Sequence, residues 1–324
     1  MMARQTPTVS VVIPLFNAER YVEQALRSVR SQTIRDIETI VIDDGSTDQS
    51  APLVAQIARS DPRVVLNSFG NSGVADARNR GLAMAEGRYI AFLDPDDLWY
   101  DEKLARQIAV FESEPDMVVV GSLMHYLGAN GRVFGATAQT PTKIDRGQVA
   151  HGLLSPFPIS SALFRTSTVR EVGGFRRLFP PGPAMAEDLY IFGRAAQVGR
   201  IGCVREPLGC YRVYGESAMG SRHKQMFAAV QYVQQTLADP TFPNRTDWET
   251  FLDQQRSTRA MRRWQEARFS YRQGGLAALE RRWAAAARHF GRAFLLRPGF
   301  TLRRGWRQLR GSYRFHFRNG GRGT

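Results

Sequence analysis

Residues 64–97 read VVLNSFGNSGVADARNRGLAMAEGRYIAFLDPDD, and within them the hydrophobic period changes twice. Val64–Leu66 is a short β-branched run, Gly70-Asn71-Ser72-Gly73 is turn chemistry, and Val74–Ala85 has the composition of a helix. Tyr89–Leu93 is again an apolar run of strand length, and it stops at Asp94, Asp96 and Asp97. A strand, a helix and a strand joined by short links make a βαβ unit, which requires parallel strands and right-handed crossovers. The same pattern extends upstream. Val9–Ile13 is an apolar run closed by Pro14. Glu19–Arg30 then places Tyr21, Val22, Ala25, Leu26 and Val29 on one helical face. Ile37–Ile42 follows as a strand, ended by Asp43-Asp44-Gly45-Ser46-Thr47-Asp48, and Leu53–Ala58 continues a helix. The expected fold class is therefore α/β, with a mostly parallel, Rossmann-like central sheet.

Downstream the pattern loosens. A helix is expected around Trp99–Phe111, strands at Met117–Leu123 and Ile159–Phe164, a turn at Val172-Gly173-Gly174, and a helix over Glu187–Val198. Beyond residue 221 the chain reads as helical, with Pro240 and Pro243 marking a break. Leu276–Pro298 carries the small/aromatic spacing of one helix hairpin, in Ala286, Phe290, Ala293 and Pro298. Two domains are expected, residues 1–220 and a helical extension over 221–324.

Charge follows that division. The net charge is +14, yet residues 1–240 hold 25 Lys+Arg and 25 Asp+Glu, while residues 241–324 hold 19 Arg, no Lys and 5 acids. The whole excess thus sits in the last 84 residues. The two cysteines, Cys203 and Cys210, lack metal-ligand spacing, the start of the sequence does not read as a signal peptide, and no run reaches the ~20 apolar residues of a membrane span. A cytoplasmic protein is expected, with peripheral attachment to the inner face of a membrane open. In residues 300–318, Leu302, Trp306, Leu309 and Tyr313 form a stripe with five arginines mostly off it. An Arg-rich amphipathic helix of this kind suits an anionic lipid surface, and packing on the first domain is the competing reading. No recognised nucleic-acid-binding motif accompanies the charge, so nucleic acid is not expected as a partner.

In parallel α/β sheets, ligands bind beyond the carboxyl ends of the strands, so Asn17, Asp43, Asp44, Asp94 and Asp96 should share one edge. Two carboxylates one residue apart at the end of a buried strand suit Mg²⁺ or Mn²⁺, which prefer carboxylate, water and phosphate oxygens. The bland alternative is a solvated turn in which Asp97 caps the next helix. For Asp43 and Asp44 it is a capping turn before Thr47 and Asp48, and for Glu187 and Asp188 acids at a helix N-terminus.

The succession VSVVIPLFNAERYVEQALRSV, ETIVIDDGSTDQS and NSGVADARNRGLAMAEGRYIAFLDPDDLW resembles the N-terminal half of the family-2 glycosyltransferases with the GT-A fold. A weaker continuation lies in PISSALFRTSTVREVGGF, AMAEDLYIFGRAAQVG and CYRVYGES, so that the resemblance covers about residues 8–218. It implies a nucleotide-sugar donor, UDP- or dTDP-linked, and a metal ion. Pro14, Phe16 and Asn17 would line the base and ribose pocket, and one of Asp43 and Asp44 would hydrogen-bond the base. Arg78 and Asn79 would lie in the donor-side helix, Asp94 would face ribose or sugar, and Asp96 would bind the metal bridging the diphosphate. Asp188 would be the base of an inverting transfer, with Glu187 turned to donor or acceptor hydroxyls. Implied partners are a saccharide or lipid-linked saccharide acceptor, in envelope or exopolysaccharide synthesis. One position departs from the pattern. Where many relatives have His in a Tyr-Arg-x-His arrangement, this chain has Tyr214, and phenol, with a pKa of about 10, is a poor ligand at neutral pH. Water or a nearby residue such as His223 could substitute, although His223 reads as a free surface histidine rather than a ligand, and His125 and His151 are read as structural. The rival readings are a nucleotidyltransferase, disfavoured because PLFNAERYV replaces a Gly-rich basic loop, and a catalytically silent membrane scaffold, against which Asp94, Asp96 and Asp188 stand.

Overall fold

The computed structural model describes residues 6–128, 131–137, 146–152, 156–178, 186–213, 223–239 and part of 248–302. The chain begins with β1 (Val9–Leu15), α1 (Val22–Arg30), β2 (Ile37–Asp43), α2 (Ser50–Ser60), β3 (Val64–Ser68), α3 (Val74–Met84) and β4 (Tyr89–Phe92). These four strands are mutually parallel in the order β3-β2-β1-β4. The chain runs outward from β1 to β3, then returns to the other side of β1, which creates a switch point between β1 and β4. After it come β5 (Leu98–Trp99), α4 (Lys103–Ser113), β6 (Met117–Gly128), β7 (Val133–Ala136) and α5 (Arg146–Ala150). A 3₁₀ turn (Ile159–Ser161), β8 (Leu163–Arg165), α6 (Thr166–Glu171), α7 (Glu187–Val198) and β9 (Arg200–Val213) complete this part. The sheet continues as β4-β8-β6-β9-β5, with β7 on β6. β4·β8, β6·β8, β6·β7 and β5·β9 are antiparallel and β6·β9 is parallel, so the second half is mixed.

Both faces of the sheet are covered, which is why β1 and β4 are buried along their whole length without alternation. Val9, Val11, Ile13 and Leu15 of β1 pack with Val22, Leu26 and Val29 of α1 and with Leu104, Ile108 and Phe111 of α4. Val12 faces the other way, into a cluster with Ala77 and Leu82 of α3 and Ile191, Phe192 and Ala195 of α7. Gly81 lets α3 approach there, since a Cβ on it would lie 2.3 Å from Val12 Cγ1.

Three sequence expectations shift. The helix expected around Trp99–Phe111 starts at Lys103, because Trp99 pairs with Gly209 in the sheet. Ile159–Phe164 divides into the 3₁₀ turn and β8, and Met117–Leu123 extends to Gly128 along β9.

The described residues fall into two compact units, one drawn from Met1–Ser221 with Ala229–Trp248, the other from Arg222–Ala228 with Glu249–Thr324. The first unit reaches past residue 221 because Leu237, in helix His223–Ala238, lies against Gly152 and Gly193; a Cβ on Gly193 would sit 2.5 Å from Leu237 Cδ1. In the second unit, the Phe290 ring of helix Trp283–Leu296 meets the Tyr271 ring at 5.2 Å, and Ala286 and Ala293 are buried. The Ala286-Phe290-Ala293 spacing is therefore a packing face. Tyr214 and residues 303–318 of the basic stripe lie outside the described residues.

Candidate active site

At the carboxyl edge, Leu15, Asp43 and Ser68 stand in register across β1, β2 and β3. Asp44 N–H donates to the Leu15 carbonyl (2.8 Å) and Phe69 N–H to the Asp43 carbonyl (2.8 Å), so the order of the strand ends continues into the loops. Asp43 and Asp44, both buried, then part in role. Asp43 accepts the Ser46 N–H on Oδ1 at 3.0 Å. Asp44 accepts the Ser72 N–H and hydroxyl on Oδ1 (both 2.9 Å) and the Gly73 N–H on Oδ2 (2.7 Å), with Arg80 Nη1 3.7 Å away. Asp44 thereby sets the start of α3. Of the turn offered as the alternative reading, Asp43 holds Ser46 and Asp48 accepts the Ser50 N–H at 2.9 Å, while α2 itself has no side-chain cap.

Pro14 is in β1 opposite Ile42, and Phe16 is 48% exposed just beyond it. Asn17 adopts φ 47°, a left-handed conformation that Asn tolerates better than most residues. Its amide oxygen accepts the Thr47 N–H at 2.8 Å, and its N–H donates to Ser46 Oγ at 3.1 Å. Its side chain thus ties the first loop to the second. Phe69, also exposed, carries the Arg80 guanidinium 4.4 Å from its ring centre.

The centre of the site is Arg78. It is 2% exposed, and it donates through Nη2 to Asp94 Oδ1 (2.7 Å) and through Nη1 to Glu187 Oε1 (2.9 Å). Burial alone would lower its pKa, but the charges of Asp94 and Glu187 outweigh burial and raise it. Two stretches 93 residues apart, the acidic loop after β4 and the start of α7, meet on this one cation. Beneath it lies the Phe175 ring, 5.2 Å from the guanidinium carbon. Asn79 clamps the Phe175 backbone: its amide donates to the Phe175 carbonyl (2.6 Å) and accepts the Phe175 N–H (2.8 Å). Gly174, at φ +70°, makes the clamp possible, since a Cβ there would lie 2.5 Å from Asn79 Oδ1.

The acidic loop is braced from two sides. Asp94 N–H donates to Ser160 Oγ (3.1 Å), and Trp99 Nε1 donates to the Ser160 carbonyl (2.7 Å). From β9, Arg212 N–H donates to Asp97 Oδ1 (2.8 Å) and Arg212 Nε to the Asp96 carbonyl (2.7 Å). The Arg212 guanidinium lies 4.4 Å over the Tyr21 ring and reaches Gln24 at 3.3 Å. Asp97 therefore does not cap a helix: it is 1% exposed and joins the loop to β9. Its Oδ2 is buried with no hydrogen-bond partner, and burial, then Asp96 and Asp94, push its pKa well above the carboxylate range.

Asp188, half-buried, follows Glu187 in the first turn of α7. Its Oδ1 accepts the Leu189 N–H at 2.8 Å. Burial and then the neighbouring Glu187 charge raise its pKa to about 6. Ala186, just before it, is held at φ 58°, a left-handed strain of a kind that clusters at functional sites. The structure thus brings Arg78, Asp94, Glu187 and Asp188 into one network, with Asp96 in the acidic loop beside it. Asp43, Asp44, Phe16 and Asn17 share the edge at β1–β3.

Among the described residues no three His, Cys, Asp or Glu side chains are grouped as a metal cage. Mg²⁺ and Mn²⁺ at diphosphate sites take only one or two carboxylates, the rest being water and phosphate. The donor set fits that mode: hard oxygen ligands on Asp94 and Asp96, and an excess of carboxylates that leaves a buried oxygen of Asp97 without a proton donor. Sequence reasoning missed Arg212 and Phe175 as site residues. Their signal was the motifs YRVYGES and EVGGF, which carry no chemistry until the fold brings them to the acidic loop. The expected structural role of His125 and His151 fits their bonds, with Tyr100 OH 2.8 Å from His125 Nδ1 and His151 Nδ1 at 2.8 Å from the Gly147 carbonyl.

Residues 10–173 match the family model described as glycosyl transferase family 2. An uncharacterised glycosyltransferase of Nostoc sp. is 34% identical over 220 residues, which are 64% of this chain and 65% of that protein. The putative teichuronic acid biosynthesis glycosyltransferase TuaG of Bacillus subtilis is 43% identical over 108 residues, 33% of this chain and 43% of its own length. The chain thus covers less than two thirds of either relative. Among solved structures, Staphylococcus aureus TarS 1–349 in complex with UDP-GlcNAc superposes with a TM-score of 0.54 at 18% identity, covering 89% of this chain and 91% of that one. The mannosyltransferase PcManGT of Pyrobaculum calidifontis, in complex with GDP-Man and Mn²⁺, gives 0.55 at 19% identity, covering 91% and 80%. These two likenesses concern the fold, which is that of the GT-A glycosyltransferases.

Proposed function

The chain belongs to glycosyl transferase family 2, and from that premise we propose that it transfers a sugar, with inversion, from a nucleoside-diphosphate sugar to a hydroxyl of a saccharide or lipid-linked saccharide. The observation that supports this reading is the Arg78 bridge: Asp94, which we take as donor-side, and Glu187, the neighbour of Asp188, bind one buried cation. In a single displacement the acceptor hydroxyl attacks the anomeric carbon and gives its proton to Asp188, while the bond to the diphosphate oxygen breaks and its electron pair leaves with the nucleotide. A base with a pKa of about 6 is deprotonated at neutral pH yet still accepts a proton readily. Glu187 and Asp94, both anchored by Arg78, hold their remaining oxygens for sugar hydroxyls. Asp43 has one oxygen on Ser46, and we assign it the base of the nucleotide, since both Asp44 oxygens serve the start of α3. Mg²⁺ or Mn²⁺, held by Asp96 and Asp94, would supply the charge that stabilises the leaving diphosphate.

A uridine or thymidine donor and envelope polysaccharide synthesis remain the preferred context, supported by the UDP-GlcNAc complex of TarS and by the likeness to TuaG. A thermal-shift comparison of UDP-GlcNAc, UDP-glucose, dTDP-glucose and GDP-mannose, with and without Mn²⁺, tests the reading. A donor about a hundredfold above its Kd should raise Tm by about 5–10 °C, and only with Mn²⁺. Asp96→Ala should erase that shift and transfer together. A variant with full transfer would remove the metal assignment, and a chain blind to every donor would remove the donor site.

A further inference from the structure

Helix Trp283–Leu296 has two apolar faces. One is spent inside the second unit, on buried Ala286 and Ala293 and the Phe290–Tyr271 ring contact. The other is exposed. At about 100° per residue, Trp283, Phe294, Ala287, Gly291, Ala284 and Leu295 fall within about 120° of arc on that side. Trp283 is 67% and Leu295 78% exposed, Phe294 is open as well, and Leu302, six residues past the end of the helix, is 62% exposed. Arg288 and Arg292, also exposed, rim the stripe, and Arg292 lies 3.6 Å from Glu266. In sequence the charge there has one sign only: residues 281–324 contain 12 Arg and no Asp or Glu.

Most large apolar groups of a stable unit avoid water, and a patch of this kind rimmed by charge marks an interaction site. A protein partner would need a matching acidic surface of defined shape. An anionic bilayer needs only charge and depth, and a Trp, a Phe and two Leu beside arginines provide both. No helix among the described residues is long and apolar enough to cross a membrane, and an amphipathic helix with Trp and Arg suits the interface plane. We propose that the outward face of Trp283–Leu296 is a docking surface for anionic lipid, with Trp283, Phe294 and Leu295 entering the headgroup boundary and the arginines meeting phosphate. This surface lies in the second unit and does not rest on the transfer reaction.

The test is cosedimentation of the full chain with vesicles of phosphatidylcholine alone and of equimolar phosphatidylcholine and phosphatidylglycerol. Binding is expected to the anionic vesicles only. Trp283→Ser with Leu295→Ser should lower the partition coefficient about tenfold or more, because each exposed side chain contributes apolar area to the bilayer boundary. The same variant should keep the thermal shift given by a donor with Mn²⁺, which shows that it is folded. Equal binding to neutral vesicles, no binding, or an unaltered partition of the variant overturns the proposal. So does a wild-type dimer in analytical ultracentrifugation that the double variant converts to monomer without any change in vesicle binding, because a second copy would then be the occupant.

Discussion

Asp188 and Glu187 open α7 side by side. Glu187 has the Arg78 bridge, and Asp188 is left with the Leu189 N–H, so burial and the Glu187 charge act mainly on Asp188 and raise it to about 6. The sign for activity follows. A general base works unprotonated, so kcat/KM should rise with pH through an apparent pKa of about 6 and level above it. The sign for stability is opposite. The folded chain binds this proton more tightly than the unfolded one, so the contribution is present below the ordinary carboxylate pKa and is lost as pH rises through about 6. Measured kcat/KM profiles should show the limb in the wild type and lose it, with activity falling by about two orders of magnitude or more, in Asp188→Asn. A limb that survives in the variant would assign the proton to another group.

Between elements, the decisive contact is the end of β9 against the loop after β4. Leu98 pairs with Cys210, and in the same antiparallel register Arg212 falls opposite Asp96. There the Arg212 backbone holds the Asp97 carboxylate and its Nε holds the Asp96 carbonyl. Arg212 is thus a positioning residue for the acid assigned to the metal, and the planar guanidinium suits a carbonyl and a ring at once. Lys keeps the charge and loses both. Arg212→Lys should weaken Mn²⁺ binding about 10–100-fold, the usual cost of an outer-shell change, with the unfolding midpoint little altered. Electron paramagnetic resonance of Mn²⁺ with UDP reads that affinity without turnover, and an unchanged affinity would reduce Arg212 to packing. None of this was visible in the sequence. Local period revealed the strands from Val9 to Leu93, the helix Glu187–Val198 and the acids at the strand ends, because each is short-range. β9, a strand of 14 residues with Gly202, Pro207 and Gly209 in it, has no such period, and the partnership of Arg212 with residues 96 and 97 spans more than a hundred positions. Asn79 is a different case: it lies in the ARNRGL motif on α3, its amide turns to Phe175, and the positive φ of Gly174 leaves room for that contact.

For the molecule as a whole, charge and chemistry are segregated. Residues 1–240 are neutral in sum, and the cations that offset part of the charge of the site's carboxylates, Arg78 and Arg212, are buried among them. The +14 excess belongs to residues 241–324. Buried pairs are screened little by salt, whereas an exposed basic surface acts over a Debye length of about 10 Å at 0.1 M and about 3 Å at 1 M. The two activities assigned to this chain should therefore part company as salt is raised. Between about 50 mM and about 500 mM NaCl, donor KM at saturating Mn²⁺ should move by less than about threefold, while partition onto anionic vesicles should fall by about an order of magnitude or more. Initial rates and cosedimentation on the same preparation measure both. If the two fall in parallel, the basic residues contribute to donor capture itself, and the division of labour between the first 240 residues and the last 84 is wrong. If neither falls, the vesicle contact is apolar alone, and the twelve arginines after residue 280 have no part in it.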